Sequence, residues 1–313
     1  MGLSEAVNPE LANMPIDVLY HFNIVVDKED QIQGEDRDEN VYSLERLREM
    51  FGDVRYVCMG GSADRAEVFA NEVAEQLGVE VPEGGPQPIG KTERYSLYKV
   101  GPVISVNHGM GKPSVSILMH EIFKLLHYAG VEDPAFMRIG TSGGLGVEPG
   151  TVVLTRDALN QDLEASYEQK ILGGSRRHWP AGLDESLREE IFAARGDIAV
   201  AIGDTVGTDD FYEEQARFDG FHIPTYTREQ ADEFFVRAHE EGALNFEMES
   251  DRFAADCARA KVRAAILCCT LVDRLKGDQI TASKEELAQY SANAQQLALN
   301  FIKADLAKLE AND

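Results

Sequence analysis

From about residue 50 to residue 310 the chain alternates short apolar runs, several closed by glycine, with longer stretches whose apolar residues recur at helical spacing. This alternation is the strongest constraint on the fold, because strands interleaved with helices build an α/β architecture around a central sheet. Val54 to Met59 reads as a buried strand ending in Gly60-Gly61-Ser62, with a helical pattern following to about Leu77. Pro82 to Pro88 is a Pro/Gly-rich loop, and Arg94 to Val100 with Pro102 to Asn107 predicts a strand pair around Gly101. Pro113 stands where a helix tolerates proline best, and the pattern behind it runs to about Tyr128. Phe136 to Ile139 and Thr151 to Thr155 read as strands flanking a glycine-rich turn at Gly140 to Gly144. Further strands are predicted at Ile198 to Ile202 and Val262 to Leu271, with helices over 184–195, 228–241, 249–260 and 284–310. No linker or internal repeat interrupts this pattern. The expected organisation is one α/β domain over 50–313, preceded by an N-terminal arm over 1–49.

The formal net charge of −25 argues against nucleic acid and anionic membranes as partners. It also gives weight to arginines set among glycines, since an acidic protein that binds an anion must concentrate positive charge locally. Much of the acidity falls between Asp27 and Glu49, where a solvated surface is expected. The acidic run from Asp27 resembles a calcium loop, but Ile32 occupies the place that needs glycine. Cys58, Cys257, Cys268 and Cys269 lie in apolar surroundings without metal-ligand spacing, which suits a reducing compartment. There is no basic-then-apolar leader at the start and no apolar run of bilayer length. Met1-Gly2 suggests myristoylation, but Ala6 stands where serine or threonine is wanted. The expected location is cytoplasmic.

Three groups of residues carry chemistry. In Asp210-Phe211-Tyr212-Glu213-Glu214-Gln215-Ala216-Arg217, an amide and a guanidinium follow two aromatics. The amide both donates and accepts and the guanidinium donates, so the pair suits a planar ring with alternating carbonyl and N–H groups. Phe246-Glu247-Met248-Glu249-Ser250 offers acceptor-only carboxylates for vicinal hydroxyls and a polarizable methionine for a sugar face. Gly60-Gly61-Ser62-Ala63-Asp64-Arg65 places small residues and an arginine at a strand-to-helix turn, a ready anion site, and Arg138 with Thr141-Ser142-Gly143-Gly144 repeats that logic. Such turns are common and are no P-loop or dinucleotide fingerprint. His21 reads by itself as a packed histidine, and His108-Gly109-Met110-Gly111 as a turn that lets the next helix pack close. Asp273-Arg274 closes an apolar strand, where catalytic side chains of α/β proteins often stand. No nucleophile elbow, HExxH or Cys–His signature supports a covalent or metal mechanism. A base reader, a hydroxyl-binding carboxylate and anion cradles together describe a nucleoside site with phosphate beside it.

With these motifs the chain resembles the uridine phosphorylase family of the nucleoside phosphorylase-I superfamily, in its animal-type dimeric branch. The resemblance runs from about Val18 to the C-terminal helix. It rests on Tyr-His-Phe-Asn at 20–23, Val-Gly-Pro-Val at 100–103, His-Gly-Met-Gly at 108–111 and Arg-Ile-Gly-Thr-Ser-Gly-Gly at 138–144. Asp-Phe-Tyr-Glu at 210–213, Glu-Met-Glu-Ser at 247–250 and Gly-Asp-Gln-Ile at 277–280 complete it. It implies a single α/β/α domain around a mixed, partly barrel-like sheet. It assigns Gly61, Arg65, Arg138 and Thr141 to phosphate, with Arg94 reaching in from the partner subunit. It assigns Gln215 and Arg217 to uracil with Phe211 against the ring and Gly143 beside it. Thr141, Met248 and Glu249 go to ribose, with His21 of the partner subunit at the 5′-hydroxyl. Arg274 matches a mobile-loop arginine that closes the base site, so Arg65, Arg138, Arg217 and Arg274 form the implied catalytic set. The acidic segment at about 27–45 looks like an insertion, and Asp273 stands where some relatives carry asparagine.

The resemblance implies reversible phosphorolysis of uridine to uracil and ribose 1-phosphate by a homodimer, with phosphate as co-substrate and no metal or organic cofactor. Three other readings stay open: a purine phosphorylase, a nucleosidase of the same fold that uses water, and a non-catalytic binding or storage protein. A purine would not need the Gln215/Arg217 pair, and a degenerate protein should have lost one of Arg65, Arg138 or Glu249.

Overall fold

The computed structural model describes residues 2–33, 38–90 and 92–311. Met1 and positions 34–37 of the acidic segment therefore lie outside the described residues. The chain divides into two compact units. The first comprises Met1–Gly109, Pro113–Met137 and Arg259–Arg263; the second comprises Met110–Lys112, Arg138–Ala258 and Ala264–Asp313.

In the first unit, β1 (Ile16–Leu19) and β2 (Ile24–Asp27) form an antiparallel pair, and β3 (Val41–Ser43) adds to β2 in parallel. The stretch before residue 50 is thus not a bare arm. Asp27, expected on a solvated surface, is fully buried at the end of β2. Its carboxylate accepts the N–H groups of Gln31 and Ile32 at 3.0 and 2.7 Å, and those bonds offset its desolvation. Ser43 caps α1 (Leu44–Phe51), which buries Leu47 and Phe51.

Next, β4 (Tyr56–Gly60) leads through a Ser62 N-cap into α2 (Ala63–Leu77). Ala66, Phe69, Ala70, Val73 and Ala74 make its buried stripe at helical spacing, and Gly78 ends it in the left-handed region at φ 65°. β5 (Leu97–Val100) pairs antiparallel with β6 (Val103–Asn107), which lies parallel to β4. β5 begins at Leu97, so Arg94 falls in the approach to the strand rather than in it. α3 (Lys112–Ala129) buries Val115, Leu118, Met119, Ile122, Leu125 and Leu126. The turn before it behaves as the sequence implies. Gly109 has φ 72° and Gly111 has φ 83°, and a Cβ on Gly109 would lie 2.7 Å from Ser114 Oγ.

The second unit holds the closed part of the sheet. β7 (Ala135–Gly144), whose first three residues belong to the first unit, is followed by β8 (Val152–Leu159) and the hairpin β9 (Ser166–Ile171)–β10 (Ser175–Pro180). Then come α4 (Glu185–Ala193), β11 (Val200–Gly207), α5 (Arg228–Glu240), β12 (Ala243–Glu247), α6 (Ser250–Ala260), β13 (Arg263–Asp273) and α7 (Lys284–Glu310). The strands follow the order β12-β11-β8-β13-β7, and β12 pairs again with β7, closing a five-stranded barrel. β8 and β11 are parallel, β13 runs antiparallel to β8, and β12 antiparallel to β7. The architecture is therefore the mixed α/β class that the alternation predicts, with the barrel-like sheet that the resemblance implies.

Two expectations change here. Gly140 to Gly144 is not a turn but the second half of β7. These glycines serve close approach rather than chain reversal: a Cβ on Gly140 would meet Arg138 Nη1 at 2.9 Å, and one on Gly143 would meet Arg274 Cγ at 3.1 Å. The β9–β10 hairpin was not predicted, because neither strand has a fully buried residue or an apolar alternation. Among the described residues no helix is long and apolar enough to cross a membrane.

Candidate active site

The barrel seam brings two distant motifs together. β7 carries Arg138, Thr141 and Gly143, and β12 delivers Glu247 at its end, with Asn245 opposite Gly144 and Phe246 opposite Gly143. Arg138 is 2% exposed. Its Nη2 lies 2.6 Å from Glu247 Oε2 and also donates to Glu249 Oε2, while Nη1 donates to Cys268 Sγ at 2.9 Å. Its Nε meets no hydrogen-bond partner among the described residues. Burial opposes the guanidinium's charge, but Glu247, Cys268 and Glu249 more than offset it, and its pKa rises.

The two carboxylates do different work. Glu247 accepts the N–H groups of Glu249 and Ser250 at 2.8 and 2.7 Å, so it caps the start of α6. Burial pushes its carboxyl up to about 7 despite Arg138, with Glu249 adding to the rise. Glu249 accepts from Gly111 N–H at 2.6 Å through Oε1 and from Arg138 through Oε2. Met248, between them, is half-buried.

The base-reading segment follows β11. Gln215 is 3% exposed; its Nε2 donates to Thr208 Oγ1 at 3.0 Å, and its main-chain carbonyl accepts from Arg274 Nη2 at 2.5 Å. Thr208 in turn donates its N–H to Glu247 O at 2.8 Å, tying the segment to the end of β12. Arg217 makes a two-pronged pair with Asp219, at 2.9 Å from Nε and 2.6 Å from Nη2, and its guanidinium lies 4.6 Å from the Phe211 ring centroid. Phe211 itself is 42% exposed. Asp219's hydrogen bonds raise the Arg217 pKa and leave its Nη1 outside the pairing.

Arg274, expected on a mobile loop, is 3% exposed. Its Nε donates to Asp278 Oδ1 at 2.6 Å, its N–H bonds Gly144 O at 2.8 Å, and its stem packs over Gly143. Burial lowers its pKa against the pull of Asp278. Asp273 accepts from Gly146 N–H at 2.9 Å and Leu275 N–H at 3.2 Å, so its carboxylate fastens a turn.

The first unit holds the remaining expected residues. The N–H of Arg65 bonds the Ser62 cap at the start of α2, and a Cβ on Gly61 would come 3.5 Å from Arg65 Nη2 and 3.9 Å from His108 Cε1. Gly61 thus keeps open the space beside the arginine. Arg94 is exposed, with its carbonyl held by Asn107 Nδ2 at 3.1 Å. His21 lies between β1 and β2, its Nδ1 2.7 Å from Glu121 Oε1 and its N–H on the same carboxylate. Within the single chain, the β1–β2 pair and Glu121 hold His21 in place.

Sequence reading missed Asp219, Thr208 and Lys112. Asp219, two residues beyond Arg217, was the most legible of these, since short-range Arg–Asp spacing favours a local fork. Thr208 and Lys112 carry no pattern that separates them from ordinary strand-end and helix-start residues.

A family model described as "Phosphorylase superfamily" matches residues 55–303. Mouse (Mus musculus) "Uridine phosphorylase 1" is 40% identical over 305 residues, covering 96% of this chain and 92% of the relative. "Inactive uridine phosphorylase B" of Schistosoma mansoni is 35% identical over 301 residues, covering 95% of each. The crystal structure of uridine phosphorylase from Schistosoma mansoni in complex with thymidine superposes with a TM-score of 0.85 at 36% identity, covering 96% of this chain and 98% of that one. The chain belongs to the phosphorylase superfamily, and within it to the uridine phosphorylases.

Proposed function

We propose that the protein catalyses the reversible phosphorolysis of uridine, giving uracil and ribose 1-phosphate. Membership of the family does not by itself separate a catalyst from the inactive relative. The observation that carries the reading is the intact, pre-oriented base reader. Gln215 is held at its amide by Thr208 and at its main-chain carbonyl by Arg274, and Arg217 is paired with Asp219 beside the Phe211 ring. Gln215 then offers an acceptor for the ring N–H and a second amide hydrogen for a carbonyl, and Arg217 Nη1 donates to the other carbonyl. As the glycosidic bond breaks, Arg217 stabilises the negative charge that develops on the departing pyrimidine.

Glu249 accepts ribose hydroxyls, with Met248 against the sugar and Thr141 beside it. Phosphate is the nucleophile, and the residues that the resemblance assigns to it are Gly61, Arg65, Arg138 and Thr141. It attacks the anomeric carbon through an oxocarbenium-like state, so catalysis is mostly positioning and electrostatics. The chemistry calls for no metal or organic cofactor. The functional unit is a homodimer in which His21 and Arg94 act in the neighbouring site. Thymidine, which the schistosome relative binds, is the natural second substrate to assay.

An ultraviolet assay of uridine, cytidine, inosine and thymidine, each with and without phosphate, tests the reading. Uridine should be cleaved only when phosphate is present. Cytidine presents an amino donor to Arg217 and should be rejected by about 10⁴-fold. Equal cleavage in phosphate-free buffer would make the protein a nucleosidase, and appreciable inosine turnover a purine enzyme. Co-expressing Arg94→Ala and Arg138→Ala chains tests the shared site: heterodimers should recover activity that neither homodimer has.

A further inference from the structure

Lys112 lies at the end of the His-Gly-Met-Gly turn and is 6% exposed, with no part in the reading above. Its ammonium finds three acceptors: Asp251 Oδ2 at 2.7 Å, the carbonyl of Gly207 at 3.2 Å and Asp209 Oδ1 at 3.3 Å. The Tyr167 ring centroid is 5.7 Å away. These acceptors come from separate parts of the site. Gly207 ends β11, Asp209 opens the base-reading segment, and Asp251 is in the first turn of α6, two residues beyond Glu249. The preceding residue, Gly111, donates its N–H to Glu249 itself.

The surroundings are built for this ammonium. A Cβ on Gly207 would fall 2.5 Å from Asp251 Oδ1, so only glycine lets that carboxylate close on the end of β11. Asp251 is 1% exposed, and its other oxygen is occupied by Arg252 N–H at 2.8 Å. Asp209 is the only exposed partner, with its side chain 68% accessible. Three divergent donors on one flexible stem suit three acceptors on separate elements, whereas an arginine's planar fork suits one.

We propose that Lys112 is a positioning residue that sets the uracil-reading segment, from Thr208 to Arg217, in register with the ribose carboxylate Glu249. The proposal rests on the uridine reading for its kinetic consequence but not for its structural one. Base and sugar are joined by a single glycosidic bond, so a shift between the two groups that read them forces the ligand out of its reactive geometry or weakens its contacts. A misplacement of about 1 Å can cost up to about a hundredfold in rate.

The test uses Lys112→Met, Lys112→Arg and Asp209→Asn in the full chain. In Lys112→Met, KM for uridine should rise about tenfold while KM for phosphate stays put, and amide hydrogens of residues 208–217 should exchange faster than in the wild type. Lys112→Arg should recover part of the loss. Asp209→Asn, which removes only the exposed contact, should raise the uridine KM about two- to threefold, and it carries the test should Lys112→Met fail to fold. A folded Lys112→Met with unchanged uridine KM and unchanged exchange over 208–217 overturns the proposal, even if its melting temperature falls. An unchanged Asp209→Asn overturns it equally when the methionine variant cannot be made. Wild type that leaves uridine intact, with faster exchange in Lys112→Met, would sink the uridine reading and keep the register role.

Discussion

The second unit holds two polar regions of opposite character. Around Arg138 every charged group is buried and matched within the protein: Arg138 is 2% exposed, and Glu247 and Glu249 are each 5% exposed. Around Arg217 the groups sit near solvent, with Phe211 and Tyr212 exposed and Asp219 holding the guanidinium from outside. The first region is set before any ligand arrives, because removing a partner there strands a charge in low dielectric. The second is also held, by the Arg217–Asp219 fork, but that pair borders solvent and its aromatic rings are uncovered. A site that must hold one sugar geometry yet admit and release a base benefits from both.

The sharpest break in this comparison is Arg138→Ala. It leaves Glu247 and Glu249 buried without a counter-charge and should cost about 3–5 kcal/mol of stability by denaturant unfolding. Activity should fall with it, whereas a loss of activity with the unfolding midpoint unmoved would mean the cluster is not structural. Arg217→Ala is the complementary change. It should lower kcat/KM for uridine by about 10²-fold or more, with stability altered by no more than about 0.5 kcal/mol. A large destabilisation would show that the base segment supports the fold.

The buried region also has a pH signature. Glu247 titrates near 7 in the folded chain against an ordinary 4.5, and Asp251 near 6 against 3.8, because burial disfavours their charged forms. The native state therefore holds more protons than the unfolded chain between these values. Stability should fall as pH rises through about 4 to 7. Glu247→Gln should flatten that slope, leaving the part due to Asp251, and an unchanged slope in urea titrations would remove Glu247 as its source. The smallest effect belongs to Phe211→Ala. Loss of the stack under Arg217 should raise the uridine KM a few-fold, equivalent to about 0.5–1 kcal/mol. No change would mean that Asp219 alone positions the guanidinium.

Much of the architecture could be read from periodicity. The stripes of α2 and α3 and the apolar run of β13 state their own burial, and α7 starts and ends where its pattern does. The exposed β9–β10 hairpin was invisible because it has no buried face to leave a pattern. Gly140 to Gly144 looked like a turn because glycine marks both reversals and close approaches, and only the neighbours tell which applies. For the site, residue types were legible and their partners were not. Arg138 is recognisable as a charge that needs an explanation, but its pairing with Glu247 and Glu249 spans 109 and 111 positions of chain, which no local pattern encodes.

The barrel seam has a consequence for how catalytic competence arises during folding. β7 and β12 join through only two register pairs, and the Asn245–Ser142 hydrogen bond beside them links residues 103 apart in sequence. Contacts that close so long a loop form late, because the entropy of closure precedes any reward from the few bonds gained. The elements on either side can reach near-native shape while the seam is still open, and in that state Arg138 and Glu249 have not met. A refolding chain should thus regain its helical signal first and its turnover last, so that activity marks the closing of the barrel.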